Sequence, residues 1–137
     1  MSLSKKQRQE VWNKSKGHCW YCGTVLPEKG WHADHIEPIF RVTEEVPKED
    51  RKNPYVLEVK QTGESEKPEL DKVENLVPAC APCNLFKGVY SIEQFRNEIS
   101  KQVERARKFS VNFRTAERFG LIETKDIYVK FWFEELE

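Results

Sequence analysis

Glu74-Asn75-Leu76-Val77-Pro78-Ala79-Cys80-Ala81-Pro82-Cys83-Asn84-Leu85-Phe86-Lys87-Gly88 is the run on which the fold turns. Asn75 to Ala79 reads as a short strand that feeds a Cys-x-x-Cys knuckle, and Asn84 to Lys87 begins or precedes a short helix. The other two cysteines of the chain form a matching knuckle far upstream, Cys19-Trp20-Tyr21-Cys22. This spacing lets two thiolates reach one tetrahedral Zn²⁺, so two such pairs make a closed structural site with no open coordination position. Between the knuckles stands Asp34-His35, and Asn84 directly follows Cys83. An acid, an imidazole and an amide oxygen suit a hard cation such as Mg²⁺ together with a general base. Two metals with separate tasks are therefore expected.

A chain of 137 residues, 38% of them hydrophobic, accommodates one domain with a modest core, for which a metal staple is a gain. No apolar run approaches the roughly 20 residues that span a bilayer, and the start Met-Ser-Leu-Ser-Lys-Lys lacks the apolar stretch of a secretory signal. The expectation is a cytoplasmic protein with no membrane partner. In that reducing setting paired cysteines are metal ligands more often than disulfides.

Net charge is zero, which argues against a large nonspecific nucleic-acid binder, but the distribution is uneven. Residues 1 to 18 carry Lys5, Lys6, Arg8, Lys14 and Lys16 against Glu10, net +4, and residues 85 to 118 are also net +4. Residues 44 to 74 are net −4 and residues 119 to 137 net −3. The positive segments flank the cysteines and the polar trio, the polarity that suits an approaching phosphate backbone, although solvated helix faces give similar counts.

Along the chain, Ser4 can cap a first helix over Lys5 to Ser15, stopped by Gly17. Trp31 to Ile39 reads as a strand with Trp31, Ala33 and His35 on one face, closed by Pro38. Residues 43 to 72 are charged and broken by Pro47, Pro54, Gly63 and Pro68, an inserted loop with one strand-like run from Tyr55 to Gln61. Ser91-Ile-Glu-Gln94 resembles a capping box, and Ile92, Phe95, Ile99, Val103 and Ala106 recur at the spacing of one long helix. Phe113 to Phe119 reads as a further helical stretch ending at Gly120. Ile127 to Phe133, β-branched and aromatic without a break, suggests a C-terminal strand packed on the core, with Phe131-Trp132-Phe133 as core rather than a base-stacking platform.

Phosphodiester hydrolysis needs an activated water, a cation for the charge on phosphorus and the leaving oxygen, and groups that hold both in line. His35 can take a proton from water, Asp34 can bind the cation, and Asn84 supplies a neutral oxygen ligand; two protein ligands leave Mg²⁺ its other positions for water and substrate. Adjacent strand residues point to opposite sides, so a twist or a strand end is needed to bring Asp34 and His35 to one phosphate.

His18-Cys-Trp-Tyr-Cys22-Gly23, Ala33-Asp-His-Ile-Glu-Pro38 and the run from Glu74 to Gly88, in this order, resemble the HNH endonucleases of the ββα-metal superfamily. The resemblance spans residues 11 to 96 and implies an α+β fold: a ββα-metal core stapled by a four-cysteine zinc site. Flanking helices and the C-terminal strand would complete a single domain over 1–137, with the insertion at 43–72 and an extension at 97–137. It implies His35 as general base, Asp34 as a ligand of a catalytic Mg²⁺ or Mn²⁺, and Asn75 as the asparagine that holds the hairpin loop. Asn84 stands where many members have histidine, an HNN variant, and its amide oxygen suits Mg²⁺ or Mn²⁺ better than a softer ion. Lys87 is either a phosphate contact beside the metal or a charged helix residue; His18 and His32 either touch phosphate or face solvent. The partner so implied is double-stranded DNA. A zinc knuckle that only docks nucleic acid or protein, and an RNA-directed nuclease, are the competing readings.

Overall fold

The computed structural model describes residues 2–136, a mixed α/β chain with five helices and two small two-stranded sheets among those residues. Helix α1, Lys5–Asn13, starts at a complete capping box in which Ser4 and Gln7 satisfy each other's backbone amides. It ends two residues before the expected Ser15, and the chain turns through Lys16 and Gly17, both at positive φ, into the first knuckle.

Strand β1, His32–His35, pairs antiparallel with β4, Leu76–Ala79, in a register that sets Asp34 opposite Val77 and His35 opposite Leu76. The expected strand from Trp31 to Ile39 is thus cut to four residues. Its face is also not the expected alternation, since Asp34 is buried and Ala33 only half-buried. Helix α2, Ala81–Lys87, follows β4 at once, begins three residues earlier than the expected Asn84, and packs on β1. Pro82 sits in its first turn, where a missing amide costs nothing.

The segment between β1 and β4 is not a loop. Strands β2, Arg41–Glu45, and β3, Val59–Ser65, form an antiparallel hairpin arm whose pairing slips between Arg41 and Thr43. The strand-like run expected at Tyr55 to Gln61 lies four residues too early, because Tyr55, Val56 and Leu57 are exposed residues of the arm's tip rather than paired ones.

Helix α3, Ile92–Ser100, has the expected capping box of Ser91 and Gln94 and buries Phe95. The single long helix breaks at Lys101 into α3 and α4, Gln102–Phe109. Ser100 Oγ donates to the Asn97 carbonyl and Gln102 Nε2 to the Glu98 carbonyl, so side chains take acceptors that a continuing ladder would need. Helix α5, Val111–Arg118, is capped by Ser110 and folds back on α4 through the bidentate Arg107–Glu117 pair. Among the described residues no helix is long and apolar enough to cross a membrane.

The C-terminal strand does not form. Ile127 and Tyr128 are exposed, and only the last part of the run docks, with the amides of Trp132 and Phe133 donating to the carbonyls of Tyr21 and Trp20. Phe131 is buried against Phe95, ring centroids 5.2 Å apart, and Arg96 lies over Phe131 while bonding the Val129 carbonyl and Glu134. The expectation that Phe131 belongs to the core holds; the strand fails because the segment finds carbonyls of the first knuckle rather than a strand edge. Trp132 covers Gly23, where φ is +78° and an added Cβ would lie 2.3 Å from the indole. Gly23→Ala is expected to cost about 1–3 kcal/mol through strain and overpacking. Thermal denaturation should show a melting temperature several degrees below wild type; an unchanged value would mean the Trp132 contact is not made.

Candidate functional site

The four cysteine sulfurs, delivered by the turn after α1 and by the β4–α2 junction, all lie within 4.8 Å of one another, and Cys22 and Cys80 are 3.8 Å apart. A tetrahedron of sulfurs about 2.3 Å from a central ion has edges of roughly 3.8 Å, so this cluster can hold a metal such as zinc. No disulfide links them. Without a cation the thiols share protons unequally: the hydrogen bond from Cys83 holds Cys19 down to about 4 against the opposing effect of burial, and the same bond drives Cys83 up. A bound ion would resolve this competition by taking all four as thiolates.

Asp34, His35 and Asn84 line one cleft of about 500 Å³, together with Arg41, Thr43 and Gln61 of the arm. β1 supplies the first two and α2 the third. His35 is the last residue of β1, which is how neighbours that should face apart come to share a cleft. The Asp34 carboxylate is buried; its Oδ2 accepts from the Tyr21 hydroxyl at 2.5 Å and stands 3.5 Å from the Lys87 ammonium. Burial pushes the Asp34 carboxyl above the ordinary carboxylate range and the Lys87 ammonium below its own, and their attraction only partly offsets this. Burial, then the negative charge of Asp34, keeps the Tyr21 hydroxyl protonated, so it is the donor. Both contacts fall on Oδ2, leaving Oδ1 as the oxygen for a ligand.

His35 Nε2 is 2.9 Å from Asp71 Oδ1. Asn75 is buried and bonds across the loop after β1: its Oδ1 accepts from the Glu37 amide, and its Nδ2 donates to the carbonyls of Glu37 and Leu70. It ties the segment after β1 to the turn that ends at Leu70.

Lys87 is corrected as a phosphate contact. Its side chain is 0% exposed, and its ammonium donates to the His35 carbonyl at 2.9 Å while facing Asp34, so it is part of the interior. Lys14 is similarly committed, donating to the carbonyls of Val73 and Leu76 and tying α1 to the start of β4. Among the described residues lining the cleft the remaining cation is Arg41. His18 is half-buried and does not line the cleft: Nδ1 bonds the Gly23 carbonyl and the ring stacks on Trp132 at 4.9 Å. His32 is exposed.

Tyr21, Asp71 and Arg41 are the site residues that sequence reasoning missed. Tyr21 could have been suspected as the one hydroxyl inside a knuckle; Asp71, one of ten acidic residues between 44 and 74, carries no distinguishing signal. No protein-family model, curated protein or solved structure matches the chain.

Proposed function

We propose that the protein is a metal-dependent endonuclease of the HNH, ββα-metal kind that hydrolyses DNA phosphodiester bonds. The observation that carries this reading is the convergence of Asp34, His35 and Asn84 on one cleft beside a four-cysteine cluster. The order β1, β4, α2 supports it, since two antiparallel strands and the following helix bear all three residues.

The residues fit a hard cation. A buried carboxylate whose charge Lys87 and Tyr21 only partly compensate, with Oδ1 left over, gains from a further positive charge, and the Asn84 amide oxygen adds a neutral ligand of the same hardness. Asp34 and Asn84 would hold Mg²⁺ or Mn²⁺ there, and zinc would sit in the cysteine cluster. Bound in the cleft, the divalent ion would stabilise charge on the phosphate and the leaving oxygen. His35 takes the proton from the attacking water. Lys87 favours the ionised form of Asp34 against the opposing effect of burial and, by bonding the His35 carbonyl, fixes the backbone of both residues. Arg41 is the cation at the cleft wall suited to a phosphate of the scissile strand.

Supercoiled plasmid and labelled RNA incubated with Mg²⁺, Mn²⁺ or EDTA test the reading. Plasmid should be nicked or linearised with either divalent ion. Brief EDTA treatment should abolish this while circular dichroism stays unchanged, and Mg²⁺ without added Zn²⁺ should restore it. Cleavage of RNA alone would replace the substrate; cleavage of neither would leave a zinc-dependent binding module.

A further inference from the structure

We propose that Asp71, brought to the site by the insertion, is a positioning residue for His35: it fixes the imidazole as the Nε2–H tautomer and so keeps the lone pair on Nδ1. As a statement about catalysis this rests on the nuclease reading above; as a statement about the ring it does not. An ionised carboxylate has only acceptors, so the ring nitrogen 2.9 Å from Asp71 Oδ1 is the donor. The two side chains are only 16% and 22% exposed, which separates this contact from a solvent-screened surface pair.

Asp71 is held from several directions. Upstream, the Lys67 amide donates to the Ile39 carbonyl, fastening the base of the arm to the segment after β1. A short 3₁₀ turn, Pro68–Leu70, follows, and the Asp71 amide closes it on the Pro68 carbonyl. The Leu70 carbonyl accepts from Asn75 Nδ2, and the same amide group grips Glu37, two residues beyond His35. Asn75 thus ties the base-bearing segment and the carboxylate-bearing turn to one point, and the hydrogen bond between their side chains follows. The insertion is therefore part of the machinery, because its last turn sets the orientation of the base.

Long-range ¹H–¹⁵N spectra of the whole protein, recorded about two pH units above the ordinary histidine pKa near 6.5, read the tautomer directly. Wild type should give the Nε2–H pattern for His35. Asp71→Ala should shift it toward a mixture, and Asp71→Asn, whose amide oxygen still accepts, should keep it. In plasmid cleavage Asp71→Ala should lower kcat roughly 10–100-fold, the range found when a metal-ligating histidine loses the carboxylate behind it, with the half-saturating Mg²⁺ concentration unchanged because His35 is not itself a metal ligand. An Nδ1–H pattern in wild type, or an unchanged tautomer in a folded Asp71→Ala protein, overturns the proposal. If wild type cleaves nothing, the nuclease reading fails, and the spectra alone still decide whether Asp71 sets the ring.

Discussion

Replacing Cys83 with serine is expected to cost the chain its fold. Apparent zinc affinities of four-ligand structural sites amount to about 10–16 kcal/mol at neutral pH, comparable with the roughly 5–15 kcal/mol that holds an ordinary domain together. The core is small, and the cluster runs from it to the surface: Cys19 is fully buried with Val11, Tyr21, Leu26, Leu76 and Phe95, Cys80 and Cys83 are half-buried against that core, and Cys22 is exposed. Its sulfurs join chain segments that nothing covalent connects nearby. Elemental analysis of protein purified without chelator should give one zinc per chain. Prolonged treatment with a strong chelator, unlike a brief exposure to EDTA, should collapse chemical-shift dispersion. The ligands bind as thiolates, so protons compete with the metal and zinc retention should weaken as pH falls. A zinc-free preparation with a native spectrum, or a folded Cys83→Ser protein, would sink the staple.

His35→Ala is the second large effect, expected to reduce cleavage by at least the roughly 10²-fold of a lost general base. The fold should survive it. The His35 carbonyl, not its ring, receives the Lys87 ammonium, and that bond persists in alanine. Neither of the other two histidines lines the cleft: His32 is exposed outside it, and His18 is stacked on Trp132 and bonded to the Gly23 carbonyl. Cleavage within a few fold of wild type, with zinc content unchanged, would move the base to another residue.

What the sequence made legible was whatever local chemistry decides. The capping boxes at Ser4 and Ser91 announced α1 and α3, and Cys-x-x-Cys spacing announced the cluster. What it hid was settled across distance. Ile127 to Phe133 has the composition of a strand, but a strand needs an edge, and the available partners were the carbonyls of Trp20 and Tyr21. Apolar spacing through Ile99, Val103 and Ala106 promised a continuous helix, and the polar side chains of Ser100 and Gln102 interrupted it. Lys87 read as either a phosphate contact or a charged helix residue until burial made it the counter-ion of Asp34. The Tyr21–Asp34 and His35–Asp71 bonds join residues 13 and 36 positions apart, and no periodicity reports such pairs.

The hairpin arm leaves and rejoins the body side by side: Glu66 and Lys67 donate their amides to the carbonyls of Phe40 and Ile39. Beyond that neck each added pair of residues extends the ladder without moving its ends, and loop length enters the closure entropy only logarithmically. Glu45 pairs with Val59, so everything between them is appended to a finished structure. Arm length is thus a variable that mutation can change by insertion or deletion while the turn carrying Asp71 stays in place. The length of the arm and the lining of the cleft can therefore diverge independently, one by growth at the tip and the other by substitution at the root.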